Sequence, residues 1–298
     1  MIQTLSGLKY EMPLFRPPSE AESLIFQITI GCSWNKCIFC EMYSTKKFRI
    51  KEVDILKNEI KCASEFNPGT RRIFLADGDA MILSSARLLK ILSLLKSSFP
   101  LLRRISCYAS PGNLQRKTQN ELNELRSAGL KIIYTGVESG DDEVLRLVNK
   151  GETYSSTVEG LLKARESGIK CSVMILNALA GKLYSKQHAI NSAKLVNEVK
   201  PDYLSTLVLM HTMGEAEYAS RFGDTYKSMT PEDILEELRL FLAHTDLERT
   251  VFRSDHASNY LFLRGVLGRD KQKLLNIIDE ALGTTDEKRI REEWLRSL

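Results

Sequence analysis

Short apolar runs alternate with amphipathic stretches along most of the chain. Between the apolar runs, polar and apolar residues recur at helical spacing. Alternation of this kind is typical of βαβ units and a parallel sheet, so the pattern predicts an α/β fold. The predicted strands are Leu24–Ile30, Arg72–Ala76, Arg104–Ala109, Lys131–Val137, Lys170–Asn177 and Asp202–Met210. The predicted helices are Lys51–Ser64, Ser84–Lys96, Thr118–Ser127, Tyr154–Ser167 and Lys186–Val199.

The strand runs are apolar almost throughout, as in KIIYTGV and YLSTLVLM, which fits strands that are covered on both faces of a sheet. Gly129 and Gly168 follow two of the predicted helices, at positions where a left-handed residue commonly ends a helix. Such β/α units build either an open doubly wound sheet or part of a β/α barrel. The periodicity does not separate these two architectures.

The ends of the chain differ from its middle. Residues 1–23 contain Pro13, Pro17 and Pro18 and are predicted to be an extended lead-in. The β/α units occupy residues 24–210, and residues 211–298 are predicted to be a mostly helical extension packed on them. The patterns in that extension are helices at Pro231–Ala243, Lys271–Leu282 and Asp286–Leu298 and a strand-like stretch RTVFRSD.

Composition narrows the class of protein. With 298 residues and 43% hydrophobic content, the chain is long enough to bury a sizeable core. The net charge of +4 comes without a long run of one sign, so DNA is not indicated as a partner. The first residues lack the pattern of an export signal, and the apolar runs are shorter than the roughly 18 residues of a membrane span. We therefore expect a soluble cytoplasmic protein without a membrane partner.

The six cysteines are unevenly distributed. Cys62, Cys107 and Cys171 stand singly in predicted helices or strands, where a free cysteine is usually a small buried hydrophobe. The other three lie within GCSWNKCIFCEMY at spacing C-x4-C-x2-C, directly after the first strand. In a chain expected to be intracellular, closely spaced cysteines more often bind metal or react than form disulfides.

Cys32, Cys37 and Cys40 are thus predicted to be metal ligands at the carboxyl end of a strand, where β/α folds carry their chemistry. Structural zinc sites are closed by four protein ligands, and no fourth cysteine or histidine lies nearby. A [4Fe–4S] cluster held by three cysteines instead leaves one iron open to an exogenous ligand, unlike the four-cysteine clusters of ferredoxins. A non-catalytic iron–sulfur or zinc protein stays the alternative.

The cysteine motif resembles that of the radical S-adenosylmethionine (SAM) superfamily, although the usual spacing there is C-x3-C-x2-C. The resemblance implies a partial (β/α)6 TIM-like barrel and an oxygen-sensitive [4Fe–4S] cluster that binds SAM. It also implies reductive cleavage of SAM to a 5′-deoxyadenosyl radical, which abstracts hydrogen from an organic substrate, with a flavodoxin- or ferredoxin-like reductant. SAM-dependent group transfer to RNA or a small molecule is the other reaction that the resemblance leaves open.

Further motifs follow in the order that the family has. Phe39 matches the aromatic residue that the family places against adenine. Asp77, Gly78 and Asp79 replace the family's Gly-Gly-Glu motif, which binds the SAM ammonium, although a DGD sequence alone is also a common turn. Ser110 offers a hydroxyl after the third strand.

The segment TGVESG after the fourth strand is similar to a segment of the elongator catalytic subunit, methylthiotransferases and oxygen-independent coproporphyrinogen oxidase. The similarity implies that Glu138 and Ser139 lie in the ribose and methionine region of SAM. Ser139 could also be the N-cap of a helix. Asn177 is expected at the mouth of the fifth strand, and the backbone at Leu209 and Met210 is expected to pass the adenine.

A polar cluster in FRSDHASNYLFLRG supplies the candidates for catalysis in the extension. Arg253 could hold a carboxylate or phosphate, and His256 could bind or relay a proton. The alternative is that Asp255 or Ser258 caps a following helix while the other side chains form a satisfied network. The sequence does not identify the substrate, but the compact chain favours a small molecule over RNA or protein.

Overall fold

A computed structural model describes residues 2–5, 7–283, 290, 291 and 296 of the chain. The strands are β1 (Ile2–Leu5), β2 (Leu8–Glu11), β3 (Leu24–Gln27), β4 (Thr29–Ile30), β5 (Arg49–Ile50), β6 (Arg72–Ala76), β7 (Arg104–Tyr108), β8 (Leu130–Glu138), β9 (Lys170–Asn177), β10 (Tyr203–Val208), β11 (Val251–Ser254) and β12 (Leu263–Val266). The helices are α1 (Val53–Phe66), α2 (Ser85–Ser98), α3 (Pro111–Gln115), α4 (Gln119–Ser127), α5 (Asp142–Leu147), α6 (Tyr154–Glu166), α7 (Gly181–Val199), α8 (Glu215–Phe222), α9 (Pro231–His244) and α10 (Leu267–Leu282).

The main sheet has the strand order β12-β11-β10-β9-β8-β7-β6-β3. The pairs β3/β6, β6/β7 and β7/β8 are parallel, as are β9/β10 and β10/β11, while β12 is antiparallel to β11. From β3 to β10, neighbouring strands of this sheet follow one another in the chain with helices between them. This arrangement confirms the predicted α/β class and is the strand order of a partial (β/α)6 barrel.

The chain divides into two compact units, of which the first comprises Met1–Asn35, Cys40–Thr135 and Glu159–Cys171. Its core includes the fully buried rings of Phe26 and Phe99, which meet edge to face with centroids 6.1 Å apart. Helices α2 and α4 start at capping side chains, which accept from the free backbone N–H groups of the first turn. Ser84 caps α2, and Thr118 forms a reciprocal capping box with Glu121 at the start of α4.

The second unit comprises Lys36–Phe39, Gly136–Val158 and Ser172–Leu298. Phe241 of α9 and Phe252 of β11 are buried in its core. Helix α9 begins with a capping box between Thr230 and Asp233, with Pro231 at the first helical position, where a missing N–H costs nothing. No helix among the described residues is long and apolar enough to cross a membrane.

Several local features differ from the sequence-based prediction. The first predicted strand is interrupted at Ile28, whose N–H donates to Ala76 and whose carbonyl accepts from Lys51, so that β3 and β4 belong to different sheets. Residues 1–23 contain the β1–β2 hairpin. Helices α3 and α8 and strands β5 and β12 were not predicted. The helix predicted over Asp286–Leu298 lies almost wholly outside the described residues.

Candidate active site

The start of the cysteine segment is hydrogen-bonded to the two residues that follow β6. Gly31, directly before Cys32, has a φ of +77°, which glycine adopts without steric cost. Its N–H donates to Asp77 Oδ2 at 3.0 Å, and its carbonyl accepts from the N–H of Gly78 at 3.2 Å. The backbone before the first cysteine is therefore held by both residues that follow β6.

Asp77 is fully buried, and its carboxylate is occupied by groups of the chain itself. Besides Gly31, it accepts hydrogen bonds from Gln27 Nε2 at 3.1 Å and from Lys46 Nζ at 2.7 Å. Neither Gln27 nor Lys46 was among the predicted site residues. Gln27 carried a signal, because it is a polar residue inside the apolar run LIFQITI, whereas Lys46 lies in an ordinary polar stretch.

Gly78 lies against Cys32 and Tyr43. A Cβ at position 78 would be 3.0 Å from both Cα and Cβ of Cys32 and 3.2 Å from Cε2 of Tyr43, so only glycine fits without displacement. The Tyr43 hydroxyl is buried and has no hydrogen-bond partner among the described residues. Burial and the nearby Asp77 raise the pKa of Tyr43, with smaller contributions from Cys32 and Cys40, so the phenol stays protonated.

Asp79 and Ser110, both predicted site residues, are in direct contact. The Ser110 hydroxyl donates to Asp79 Oδ2 at 2.8 Å, Asn113 Nδ2 donates to the same oxygen, and the Met81 N–H donates to Oδ1 at 3.0 Å. Burial raises the pKa of Asp79, and the hydrogen bonds from Asn113 and Ser110 oppose that rise. Ser110 also caps α3, a helix that the Ser-Pro sequence could have indicated.

In the second unit, Glu138 ends β8 with a φ of +65°, an unusual conformation for a residue other than glycine. Its Oε1 accepts from Lys150 Nζ at 3.2 Å, while its buried Oε2 has no partner among the described residues. Lys150 Nζ also lies 5.8 Å from the ring centroid of Phe39. Phe39 and Glu138, both predicted to contact SAM, thus share one lysine.

Ser139 is fully buried and does not cap a helix. Its hydroxyl lies 2.8 Å from His188 Nδ1 and accepts from the Asp141 N–H at 3.0 Å. The N-cap of α5 is instead Asp141, whose Oδ1 accepts from the N–H of Val144. The alternative interpretation of Ser139 as a cap was therefore wrong by two residues.

Asn177 ends β9 beside an acidic residue that sequence reasoning missed. Glu237 Oε1 accepts from Asn177 Nδ2 at 3.3 Å and from the N–H of Ala178 at 2.7 Å. Ala178 has a φ of +63°. Asn177 Oδ1 and Glu237 Oε2 are buried and have no partner in the described part of the chain. Nothing in the sequence separates Glu237 from the other charged residues of α9.

The C-terminal candidates lie in a network of hydrogen bonds. His256 Nδ1 accepts from the N–H of Ser258, and the Ser258 hydroxyl accepts from the N–H of Val208, next to the predicted Leu209. Burial lowers the pKa of His256. The Arg253 side chain is 47% exposed and donates to its neighbouring carbonyl. Neither Asp255 nor Ser258 caps a helix, because strand β12 comes next among the described elements and the following helix, α10, begins after Val266, so the interpretation of these two residues as caps was wrong.

Leu209 and Met210 follow β10. The N–H of Leu209 donates to the carbonyl of Asn177 at 2.9 Å, so the backbones after β9 and β10 stay paired beyond the last strand residues. Met210 Sδ accepts from Arg296 Nη2 at 3.2 Å. The backbone that is expected to pass the adenine is thus held by Asn177 at Leu209, while Arg296 holds the Met210 side chain.

The donor chemistry suits an iron–sulfur cluster and SAM. Cys32, Cys37 and Cys40 are half-buried thiols, the soft ligands that such clusters take. The orphaned oxygens of Glu138 and Asn177 suit a ligand rich in hydroxyl or amino donors. In the described residues, no three His, Cys, Asp or Glu side chains are gathered as ligands of one metal ion, so the three cysteines as a ligand set stay a prediction.

Comparison with solved structures finds the same fold in several other proteins. Coproporphyrinogen III oxidase (HemN) from Escherichia coli, described as a radical SAM enzyme, is 21% identical with a TM-score of 0.53, over 74% of this chain and 52% of its own. Methylornithine synthase (PylB) is 16% identical with a TM-score of 0.50, over 87% of this chain and 81% of its own. The anSMEcpe structure with bound AdoMet is 15% identical with a TM-score of 0.56, over 74% of this chain and 58% of its own.

At these identities the similarity establishes the fold alone, and the chain spans about half the length of the coproporphyrinogen III oxidase that it matches. No curated protein sequence matches the chain. The sequence profile of the radical SAM superfamily matches residues 26–181, from β3 to the start of α7. Because this match covers more than half of the chain, the protein belongs to the radical SAM superfamily.

Proposed function

We propose that this protein cleaves SAM reductively and that the 5′-deoxyadenosyl radical removes a hydrogen atom from a small organic substrate. The observation that carries the proposal is the anchoring of Gly31 and Cys32 by Asp77 and Gly78 at the end of β6. This anchoring puts the start of the cysteine segment at the carboxyl end of a parallel strand, where β/α enzymes carry their chemistry. It also lies within the family match.

Cys32, Cys37 and Cys40 would hold the cluster through their thiolates. When bound, a [4Fe–4S] cluster supplies the electron that divides SAM into methionine and the 5′-deoxyadenosyl radical. Tyr43 stays a neutral phenol beside Cys32 and Cys40, so it adds a hydrogen-bond donor without adding negative charge near the thiolates. We infer that a flavodoxin- or ferredoxin-like protein delivers the electron.

We assign the SAM ammonium to Asp79. A buried carboxylate gains a charge-assisted hydrogen bond from an ammonium, and Ser110 and Asn113 already hold Asp79 in place. Asp77, the other carboxylate of the DGD sequence, is neutralised by Lys46 at 2.7 Å and has less to offer a second cation. Gly78 supports the site by allowing close approach to Cys32.

The orphaned oxygens in the second unit support a role in binding the SAM ribose. Glu138 Oε2 and Asn177 Oδ1 can each accept from a hydroxyl group, which would satisfy two buried acceptors. Ser139 has less to offer SAM, since its hydroxyl is already engaged by His188 and by the N–H of Asp141. Adenine is assigned to the ring of Phe39.

The backbone at Leu209 and Met210 is also assigned to the adenine. For the substrate, Arg253 is the stronger of the two candidates, since its exposed guanidinium suits a carboxylate or phosphate. His256 is less suited, because its Nδ1 is already used within its own turn.

Product analysis tests the reaction class. The protein is reconstituted anaerobically with iron and sulfide, reduced with dithionite and given SAM. We expect 5′-deoxyadenosine and methionine in equal amounts. Methylthioadenosine or S-adenosylhomocysteine instead would indicate group transfer, and the absence of every SAM-derived product from a protein with an intact cluster would contradict the proposal.

A further inference from the structure

Lys46 is a buried cation that follows the cysteine segment. Its side chain is only 3% exposed, and its ammonium lies 2.7 Å from Asp77 Oδ2. The same oxygen accepts from the N–H of Gly31 at 3.0 Å. One carboxylate oxygen therefore binds the residue before Cys32 and a residue after Cys40, so it holds both ends of the segment that carries the three cysteines.

The two ends also pack directly on each other. A Cβ on Gly31 would lie 3.2 Å from Lys46 Cβ and 3.5 Å from the Lys46 carbonyl oxygen. The N–H of Lys46 donates to the carbonyl of Tyr43, which turns the chain back before it reaches position 46. The segment from Gly31 to Lys46 is thus a loop that is closed at its base.

Lys46 stabilises the negative charge of the buried Asp77 carboxylate. A carboxylate with no exposed surface is costly unless a cation and hydrogen bonds offset the loss of water. Gln27 and Gly31 supply neutral donors, and Lys46 supplies the charge. Fixing the ends of a loop in advance also reduces the entropy lost when its side chains gather around one ligand.

We propose that Lys46 and Asp77 form a clamp that positions the cysteine loop for the iron–sulfur cluster. Lys46 is a positioning residue, which acts through Asp77 on the backbone at Gly31 and Cys32. The inference rests on the proposed function, since it takes the three cysteines as cluster ligands. It also gives Asp77 a different task from Asp79, although both belong to the DGD sequence.

The test uses the double variant Lys46→Met with Asp77→Asn, which removes the ion pair without leaving a buried unpaired charge. Lys47→Met is the matched control, because the neighbouring lysine is exposed. The first measurement is the iron and sulfide that the full-length chain retains after anaerobic reconstitution and desalting. The second is hydrogen exchange at the Gly31 N–H in iron-free protein.

We expect the double variant to retain the circular dichroism of the wild type. Its cluster retention should fall at least about 10-fold, as for other groups that orient metal ligands, and the Gly31 N–H should exchange faster. Lys46→Leu with Asp77→Asn, a second variant that leaves no buried unpaired charge, should show the same two changes and serves as the test if the first double variant does not fold. If the double variant retains as much iron and sulfide as Lys47→Met, or if its Gly31 N–H exchanges no faster than in Lys47→Met, the clamp is refuted.

The outcomes separate this inference from the proposed function. If the wild type holds a cluster and the double variant holds it equally well, only the clamp is refuted. If the wild type binds no iron, the proposed function fails, and exchange at Gly31 in the iron-free protein still decides whether Lys46 and Asp77 fix the base of the loop.

Discussion

Replacing Gly78 by alanine would push a methyl group into the start of the cysteine loop. The added Cβ would lie 3.0 Å from both Cα and Cβ of Cys32 and 3.2 Å from Tyr43 Cε2. Carbon atoms in good contact are about 3.5–4.0 Å apart, so the neighbours would have to move by roughly half an ångström. Cys32 cannot yield by rotating a side chain, because one of the two atoms belongs to its backbone.

Overpacking of this kind costs about 1–3 kcal/mol, which for a chain of this length lowers the melting temperature by roughly 2–5 °C. Gly69→Ala is the matched control, because a Cβ there meets nothing within 4 Å, and its effect should stay within about 0.5 kcal/mol. Thermal unfolding of the iron-free proteins measures both effects. Equal melting temperatures for Gly78→Ala and Gly69→Ala would refute the packing of the β6 end on Cys32.

Three further perturbations test other parts of the account. Glu20→Gln weakens the part-buried hydrogen bonds that Arg104 and Tyr134 donate to the buried Glu20 carboxylate. It should cost about 2 kcal/mol in urea unfolding, whereas the exposed Glu22→Gln should cost less than about 0.5 kcal/mol; equal losses would contradict this network. Burial lowers the pKa of His256, so the folded chain binds fewer protons there than the unfolded chain does. The free energy of unfolding should therefore fall as the pH drops below about 6.5. Between about pH 7.5 and 5.5 it should fall less in His256→Gln than in the wild type, and an equal fall in the two proteins would refute this role of His256. Glu237 holds Asn177 and Ala178 beside the proposed ribose site, so Glu237→Gln should weaken SAM binding about tenfold by calorimetry, while the variant of its exposed neighbour, Glu236→Gln, should not; equal affinities would refute this supporting role of Glu237.

The periodicity of the sequence predicted the sheet because buried parallel strands must be apolar on both faces. The strand Lys170–Asn177 was predicted with the observed bounds, and the helix predicted at Thr118–Ser127 begins at its observed cap. The interruption of the first strand at Ile28 was not predictable in this way. Its backbone partners, Ala76 and Lys51, are distant in sequence, and the run LIFQITI looks continuous.

The candidate site also contains residues that the sequence marks and residues that it does not. Cys32, Asp79 and Ser110 were predicted to be site residues because local motifs mark them. Lys46 and Glu237 were missed because their importance comes from burial beside residues 31 and 60 positions away, respectively, and a single sequence carries no sign of such pairs.

The central claim is that the cysteine loop holds the cluster that cleaves SAM. The most direct test measures 5′-deoxyadenosine formed per chain by anaerobically reconstituted, dithionite-reduced protein, comparing Cys37→Ala with Cys62→Ala, which alters a half-buried cysteine outside the loop. The account predicts that Cys62→Ala forms 5′-deoxyadenosine like the wild type, whereas Cys37→Ala loses both the cluster and the product. Undiminished 5′-deoxyadenosine from Cys37→Ala would contradict it.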